Sequence, residues 1–268
     1  MYKANLRIGR GGIHDAFNKV FIAPRGPAGP ATQTACVLAL MFGLVEGEAK
    51  DRTVAGLIGL LEASGYHLTT GFVGTPYLNL VLAEAGRYVA AYKLLLQTDY
   101  PSWLYPVTRG ATTIWEHWDG SFWSATMNSF NHYAYGAVGD FLYRYVAGIE
   151  QTEEGPGYKQ FLIQPHPGGG LTSAAAGLES MYGMIRSEWT LSSGRMELTA
   201  VVPPNTTATV LLPDALLTEV SESGAGNGQQ LEQVPGIHSA EQLAQGVKLT
   251  LGSGEYRFAC NYTCISGV

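Results

Sequence analysis

The densest chemistry in the chain lies in Thr112-Thr113-Ile114-Trp115-Glu116-His117-Trp118-Asp119-Gly120, followed by Asn128-Ser129-Phe130-Asn131-His132-Tyr133. The first run sets a carboxylate between two indoles, with an imidazole and a second carboxylate alongside. A carboxylate beside indoles is partly desolvated and so a better proton acceptor. The indole faces of Trp115 and Trp118 suit the C–H surface of a sugar ring, while Glu116 can handle a proton or a water. Asp119 is the competing carboxylate, but Gly120 follows it, which fits the first residue of a turn. His132 is expected in the first turn of a helix capped by Ser129. A helix N-terminus favours the neutral imidazole, suited to hydrogen-bonding a substrate hydroxyl, and Asn131 beside it can do the same. The plainer alternatives stay open: a solvated loop carboxylate next to packed tryptophans, and an ordinary helix-end histidine.

These groups need a scaffold, and the apolar spacing supplies one. From Thr32 the pattern is helical: Ala35, Leu38, Phe42 and Val45 recur, with Gly47 as a stop. Val54, Leu57, Ile58 and Leu61 form the next apolar face, with Asp51 as cap and Gly65 as end. Thr75-Pro76 reads as cap and first helical position, Leu78, Val81, Leu82 and Ala85 follow, and Gly86 closes that helix. A shorter helix spans Arg87 to Gln97. The last runs from Ser129 to Val146, with Gly148 behind it. Residues 1–30 read as irregular, because Gly9, Gly11, Gly12, Pro24, Gly26, Pro27, Gly29 and Pro30 crowd them. The loops 65–74 and 100–128 collect aromatic and polar residues, as expected of a functional rim.

After Gly155-Pro156-Gly157 the period falls to two. Phe161–Gln164, Met184–Thr190, Met196–Val202, Thr207–Leu212, Val247–Leu251 and Tyr256–Ala259 alternate as short strands between turn residues. The expectation is an α+β chain of two domains, helical over 1–155 and an antiparallel β-sandwich over 156–268. Residues 221–246 read as a long surface loop.

Composition narrows the function. The 268 residues carry a formal charge of −6, with 46% hydrophobic and 14% charged residues. A mildly acidic chain without Lys/Arg runs argues against nucleic acid or anionic membrane as partner, and no apolar run is long enough to span a bilayer. The start, Met1 to Arg7, lacks the core and cleavage site of a signal peptide. A cytoplasmic protein, or one whose true N-terminus lies upstream, is expected. Cys36, Cys260 and Cys264 do not form a disulfide framework or a zinc-ligand pattern, so no metal and no cofactor are expected. The Gly-rich run Thr69–Thr75 lacks the lysine and glycine spacing of a phosphate loop.

Four blocks carry a resemblance: Thr69-Thr70-Gly71-Phe72-Val73-Gly74-Thr75-Pro76-Tyr77-Leu78; Pro101-Ser102-Trp103-Leu104-Tyr105-Pro106 with Gly110-Ala111-Thr112-Thr113-Ile114-Trp115-Glu116; Met127 to Asp140; and Gln164-Pro165-His166-Pro167-Gly168-Gly169-Gly170-Leu171. In order, and over about Thr32 to Trp189, they resemble the bacterial α-L-rhamnosidases of glycoside hydrolase family 78. The resemblance implies the C-terminal half of an (α/α)6 barrel followed by a β-sandwich. It implies inverting hydrolysis of terminal α-L-rhamnose from a glycoside or oligosaccharide. The family's general base then matches Glu116 and its rhamnose-contacting histidine matches His132. Trp115 and Trp118 are weaker candidates for shaping the sugar pocket.

The same resemblance places the family's general acid upstream of anything this sequence contains. The chain is therefore expected to begin inside the catalytic domain, to have little activity alone, and to expose helix faces that favour self-association. Two other readings compete: a non-catalytic sugar-binding or structural remnant of such an enzyme, and another α/α-barrel glycosidase.

Overall fold

The computed structural model describes residues 2–22, 32–120, 129–224 and 230–262. The expectations for Pro24 to Pro30, for Asn128 ahead of the last helix and for Cys264 lie outside the described residues. The chain divides into two compact units, Met1–Val138 and Gly139–Val268. The division falls upstream of the change of period near residue 155.

The first unit is helical. It holds α1 (Tyr2–Phe21), α2 (Gln33–Met41), α3 (Gly47–Ala63), α4 (Thr75–Glu84), α5 (Tyr88–Leu95), α6 (Leu104–Thr108) and the short α7 (Tyr133–Gly136). Thr32 caps α2, its hydroxyl accepting from the Ala35 N–H at 3.2 Å. Cys36 and Val37 of α2, Leu57 and Leu61 of α3, Leu78 and Leu82 of α4, and Ala91 and Leu94 of α5 are buried. The buried residues of α3 and α4 lie on the faces that helical spacing assigned, whereas α2 buries Cys36, Val37 and Ala39 and leaves Phe42 of the expected face exposed; burial rather than propensity stabilises the helices. Two starts differ. Glu46, not Asp51, precedes α3, and Gly74 precedes α4, with Thr75-Pro76 already inside its first turn.

Residues 2–21 correct the irregular reading of the N-terminal stretch. Each glycine inside a helix costs about 1 kcal/mol relative to alanine, which is why the sequence argued against one. Packing outweighs that cost. Phe17 and Ile22 lie against Ala39 and Val45, and the Asn18 amide donates to the Leu44 carbonyl at 2.8 Å.

The expected helix Ser129–Val146 is also corrected. It is three pieces: α7, then α8 (Val138–Phe141) and a π-helix (Leu142–Ala147). The backbone of residues 129–132 is engaged with residues 114–116, so helix begins only after His132. Gly136 and Gly139 then weaken the middle.

The second unit holds two five-stranded sheets. One runs β1 (Ile149–Gln151), β2 (Gln160–Ile163), β6 (Thr207–Pro213), β9 (Gly246–Leu251), β8 (Ile237–Leu243). The other runs β3 (Ser173–Ser180), β4 (Gly183–Ser192), β5 (Arg195–Val202), β10 (Gly254–Asn261), β7 (Ser221–Glu222). All pairings are antiparallel except β2 with β6, which is parallel, Phe161 opposite Ala208. One buried cluster draws on both sheets, including Phe161, Ile163, Trp189, Leu198, Val210, Leu249 and Phe258. The Trp189 indole N–H donates to the Val146 carbonyl at 2.7 Å, and the Ser187 hydroxyl to the Ala147 carbonyl at 2.6 Å. These bonds fasten the end of the π-helix to β4. The surface-loop reading of residues 221–246 is corrected by β7 and β8. Among the described residues, strand β8 is an edge strand paired with β9 alone, so its outward side chains are polar and its alternation is faint.

Candidate active site

Two segments of the helical unit lie side by side. The Glu116 N–H donates to the Ser129 carbonyl at 2.9 Å, and the His132 N–H to the Ile114 carbonyl at 2.8 Å. The Thr113 hydroxyl donates to the Phe130 carbonyl. The Glu116 carboxylate adds its own bond, accepting the Ser129 N–H at 2.8 Å through Oε2. Main chain and side chain of Glu116 are thereby fixed to the same residue. A charge-assisted bond of this kind holds a carboxylate in one orientation better than a neutral one.

His132 is held from its other end. Its Nδ1 accepts the Ala134 N–H at 3.3 Å, which makes His132 the side-chain cap of α7. A backbone N–H can only donate, so Nδ1 carries no proton in this arrangement. The neutral ring then has its proton on Nε2 and offers it as a donor. The ring lies parallel to Phe72, with centroids 4.9 Å apart at 17°, and to Tyr133, at 5.3 Å and 12°.

Beneath the segments lies an aromatic floor. Trp118 stacks on Tyr135 at 3.7 Å and 10°, and Trp103 meets Trp118 edge-on at 5.9 Å. The Trp103 indole N–H donates to the Tyr135 carbonyl at 3.0 Å. Trp118 is 9% exposed, and with one face taken by Tyr135 it supports the loop from below. Burial pushes the Tyr135 hydroxyl above its ordinary pKa, and nearby Tyr100 and the negative charge of Glu116 add to the shift. The Glu116 carboxylate is thus electrostatically felt inside this floor.

Trp115 takes a different position. Half-buried, it packs edge-on to Phe130 at 5.4 Å, and its indole presses on Gly120. A Cβ at Gly120 would sit 2.7 Å from the Trp115 ring, and its φ of +59° is left-handed. Only glycine meets both conditions. Asn131 is exposed, its N–H donating to the Ser129 hydroxyl at 3.2 Å. Asp119 and His117 are exposed on the turn. Glu116, Asn131 and His132 are thus brought together on paired segments, with Trp115 beside them and Trp118 below. Among the described residues, no cluster of three or more His, Cys, Asp or Glu side chains could hold a metal ion.

Sequence reasoning missed Phe72 and Tyr135. The signal for Phe72 was one large aromatic inside a Gly/Thr run, which a search for phosphate-loop spacing passes over.

A family model described as the bacterial alpha-L-rhamnosidase 6 hairpin glycosidase domain matches residues 7–146, and one described as the bacterial alpha-L-rhamnosidase C-terminal domain matches residues 148–227. This chain belongs to the bacterial α-L-rhamnosidases. An alpha-L-rhamnosidase of Streptomyces avermitilis is 45% identical over 206 residues, 75% of this chain and 20% of the relative. One from Formosa agariphila is 39% identical over 238 residues, 87% of this chain and 25% of the relative. Among solved structures, the Streptomyces avermitilis α-L-rhamnosidase complexed with L-rhamnose aligns at a TM-score of 0.82 and 38% identity, over 93% of this chain and 23% of that one. The α-L-rhamnosidase of Dictyoglumus thermophilum aligns at 0.84 and 30%, over 97% and 29%. This rhamnosidase chain therefore spans about a fifth to a quarter of the length of the curated relatives it matches.

Proposed function

We propose that this chain forms part of the catalytic module of an enzyme that removes terminal α-L-rhamnose from rhamnosides with inversion. The helices are assigned to one half of an (α/α)6 barrel, and the two sheets to a β-sandwich behind it. Glu116 is the general base. The observation that supports this role is its double attachment to Ser129, which fixes the carboxylate on a segment whose backbone also pairs with that of His132. Such a carboxylate takes a proton from water as the water attacks the anomeric carbon. The Nε2–H of His132 and the Asn131 side chain hydrogen-bond sugar hydroxyls, and Trp115 walls the ring. Trp118 acts through packing.

An inverting glycosidase also needs a carboxylic acid to protonate the leaving oxygen, set apart from the base to admit the water. We assign that acid to residues outside this stretch. Support comes from the family membership, from the share of the relatives that the chain spans, and from Asp119 lying exposed on its turn.

A leaving-group series tests the assignment. Aryl α-L-rhamnosides whose phenols span a range of acidity are given to the chain. Turnover is expected to be weak and to rise steeply as the phenol becomes more acidic, because a good leaving group needs little protonation. Turnover that is brisk and indifferent to the phenol would place the acid within these residues.

A further inference from the structure

We propose that Phe72, from the Gly-rich run Thr69–Thr75, is a positioning residue that clamps the His132 ring with its Nε2–H directed at a hydroxyl of the deoxyhexose. The proposal rests on His132 as the sugar contact, and it gives the run a role that phosphate chemistry did not.

An imidazole held by one hydrogen bond can still tilt about that bond. His132 has such a bond, from the Ala134 N–H to Nδ1. The bond selects the tautomer but leaves the ring plane to be set by something else. Phe72 sets it together with the adjacent Tyr133 ring, which lies parallel at 5.3 Å and 12°: the Phe72 and His132 rings are 17° apart, with centroids at 4.9 Å. The phenyl also leans on Tyr135 at 5.3 Å, tying the clamp to the aromatic floor. Offset stacking of this kind contributes about 0.5–1.5 kcal/mol beyond burial, enough to favour one ring plane over others.

A clamp must itself be fixed, and the run around Phe72 is. The buried hydroxyls of Thr70 and Thr75 bond to each other at 2.7 Å, and the Thr75 hydroxyl also lies 3.1 Å from the Thr70 carbonyl. The Thr69 N–H donates to the buried Gln33 amide oxygen at 3.0 Å. At Gly74 a Cβ would meet the Thr34 hydroxyl and the Thr70 side chain at 3.1 Å, so the run lies tight against α2. Phe72 is nevertheless 43% exposed. A rigidly mounted phenyl left so open has its defining contact in the ring it faces.

The test uses the chain labelled with 15N at histidine, at a pH above the ordinary imidazole value of about 6.5, without and with L-rhamnose. In the parent chain, the His132 ring nitrogens are expected to report a single tautomer protonated at Nε2, and L-rhamnose is expected to shift the Nε2 resonance. In Phe72→Ala, the tautomer should hold while the ring signals broaden, and L-rhamnose affinity should fall roughly 5- to 10-fold, the factor that corresponds to losing one stacking contact. Phe72→Tyr, which keeps the ring, should restore both. Parent-like ring signals and affinity in Phe72→Ala would overturn the clamp. So would a loss that Phe72→Tyr does not restore. A parent His132 that shows one tautomer but no response to L-rhamnose would overturn the sugar contact, and the clamp's purpose with it. Failure of the clamp and failure of the underlying reading are thus distinguishable.

Discussion

The two units bury their apolar residues differently. In the sheet unit, alternate side chains of both sheets meet in one cluster, with Trp189, Ile163, Val210 and Leu249 fully enclosed. The helical unit encloses Leu57, Leu78 and Leu94 as completely, yet leaves Ile13, Val20, Phe42, Phe72, Val73 and Tyr133 open to solvent, against Leu142, Tyr143, Met181, Met184 and Leu216 in the sheet unit. The candidate chemistry lies in that helical unit, with Phe72 and Tyr133 among its exposed aromatic residues.

The contrast can be broken most severely at Trp189. Trp189→Ala would empty the centre of the sheet core and leave the Val146 carbonyl unpaired, a loss of about 3–5 kcal/mol. Urea denaturation followed by near- and far-ultraviolet circular dichroism should show part of the near-ultraviolet aromatic signal lost early, with the sheet unit, while the helical far-ultraviolet ellipticity persists. A common shift of both signals would mean that the units do not differ in this way.

Gly120→Ala probes the other side of the contrast, and its effect should be smaller and local. A left-handed φ costs a non-glycine residue about 1–2 kcal/mol, and the new Cβ must displace the Trp115 indole. Trp115 fluorescence should change and L-rhamnose affinity should fall, with the sheet unit's denaturation midpoint unmoved. Unaltered fluorescence would show that Trp115 does not depend on that contact.

The smallest effect is a slope. Burial pushes His166, in the sheet unit, down to about 4 from 6.5. Above pH 6.5 both folded and unfolded chains carry it neutral. Between 6.5 and about 4 only the unfolded chain takes up the proton, so stability falls with pH through that window and levels off below it. His166→Gln should flatten this part of the sheet unit's urea-midpoint profile. A profile unchanged by the substitution would assign the acid sensitivity to other groups.

Legibility followed the strength of local signals. Strands β4, β5, β6, β9 and β10 alternate Val, Leu, Met, Trp and Phe with polar residues, and the sequence located all five. Strand β3 is Ser-Ala-Ala-Ala-Gly-Leu-Glu-Ser, whose small residues have weak β preference. It becomes a strand because β4 pairs along its whole length. Helix α1 was hidden by three glycines. The carboxylate-bearing motif was readable at once, since Trp-Glu-His-Trp is chemically dense. Its clasp to Ser129 was not, because that bond joins residues far apart in sequence and their pairing follows no local period. For the same reason His132 was read as lying inside a helix rather than capping one, and Phe72 as one aromatic of a rim loop with no stated partner.

The central claim is that Glu116 activates water, with the proton donor elsewhere. A substrate that needs no proton donor isolates that claim. α-L-Rhamnosyl fluoride leaves as fluoride, so the chain alone should hydrolyse it. Proton NMR during the first turnovers should show β-L-rhamnose appearing before mutarotation, and Glu116→Gln should lower the rate by roughly 100-fold or more, as expected for loss of general base catalysis. Release of α-L-rhamnose first, or an unchanged rate in Glu116→Gln, would contradict the account.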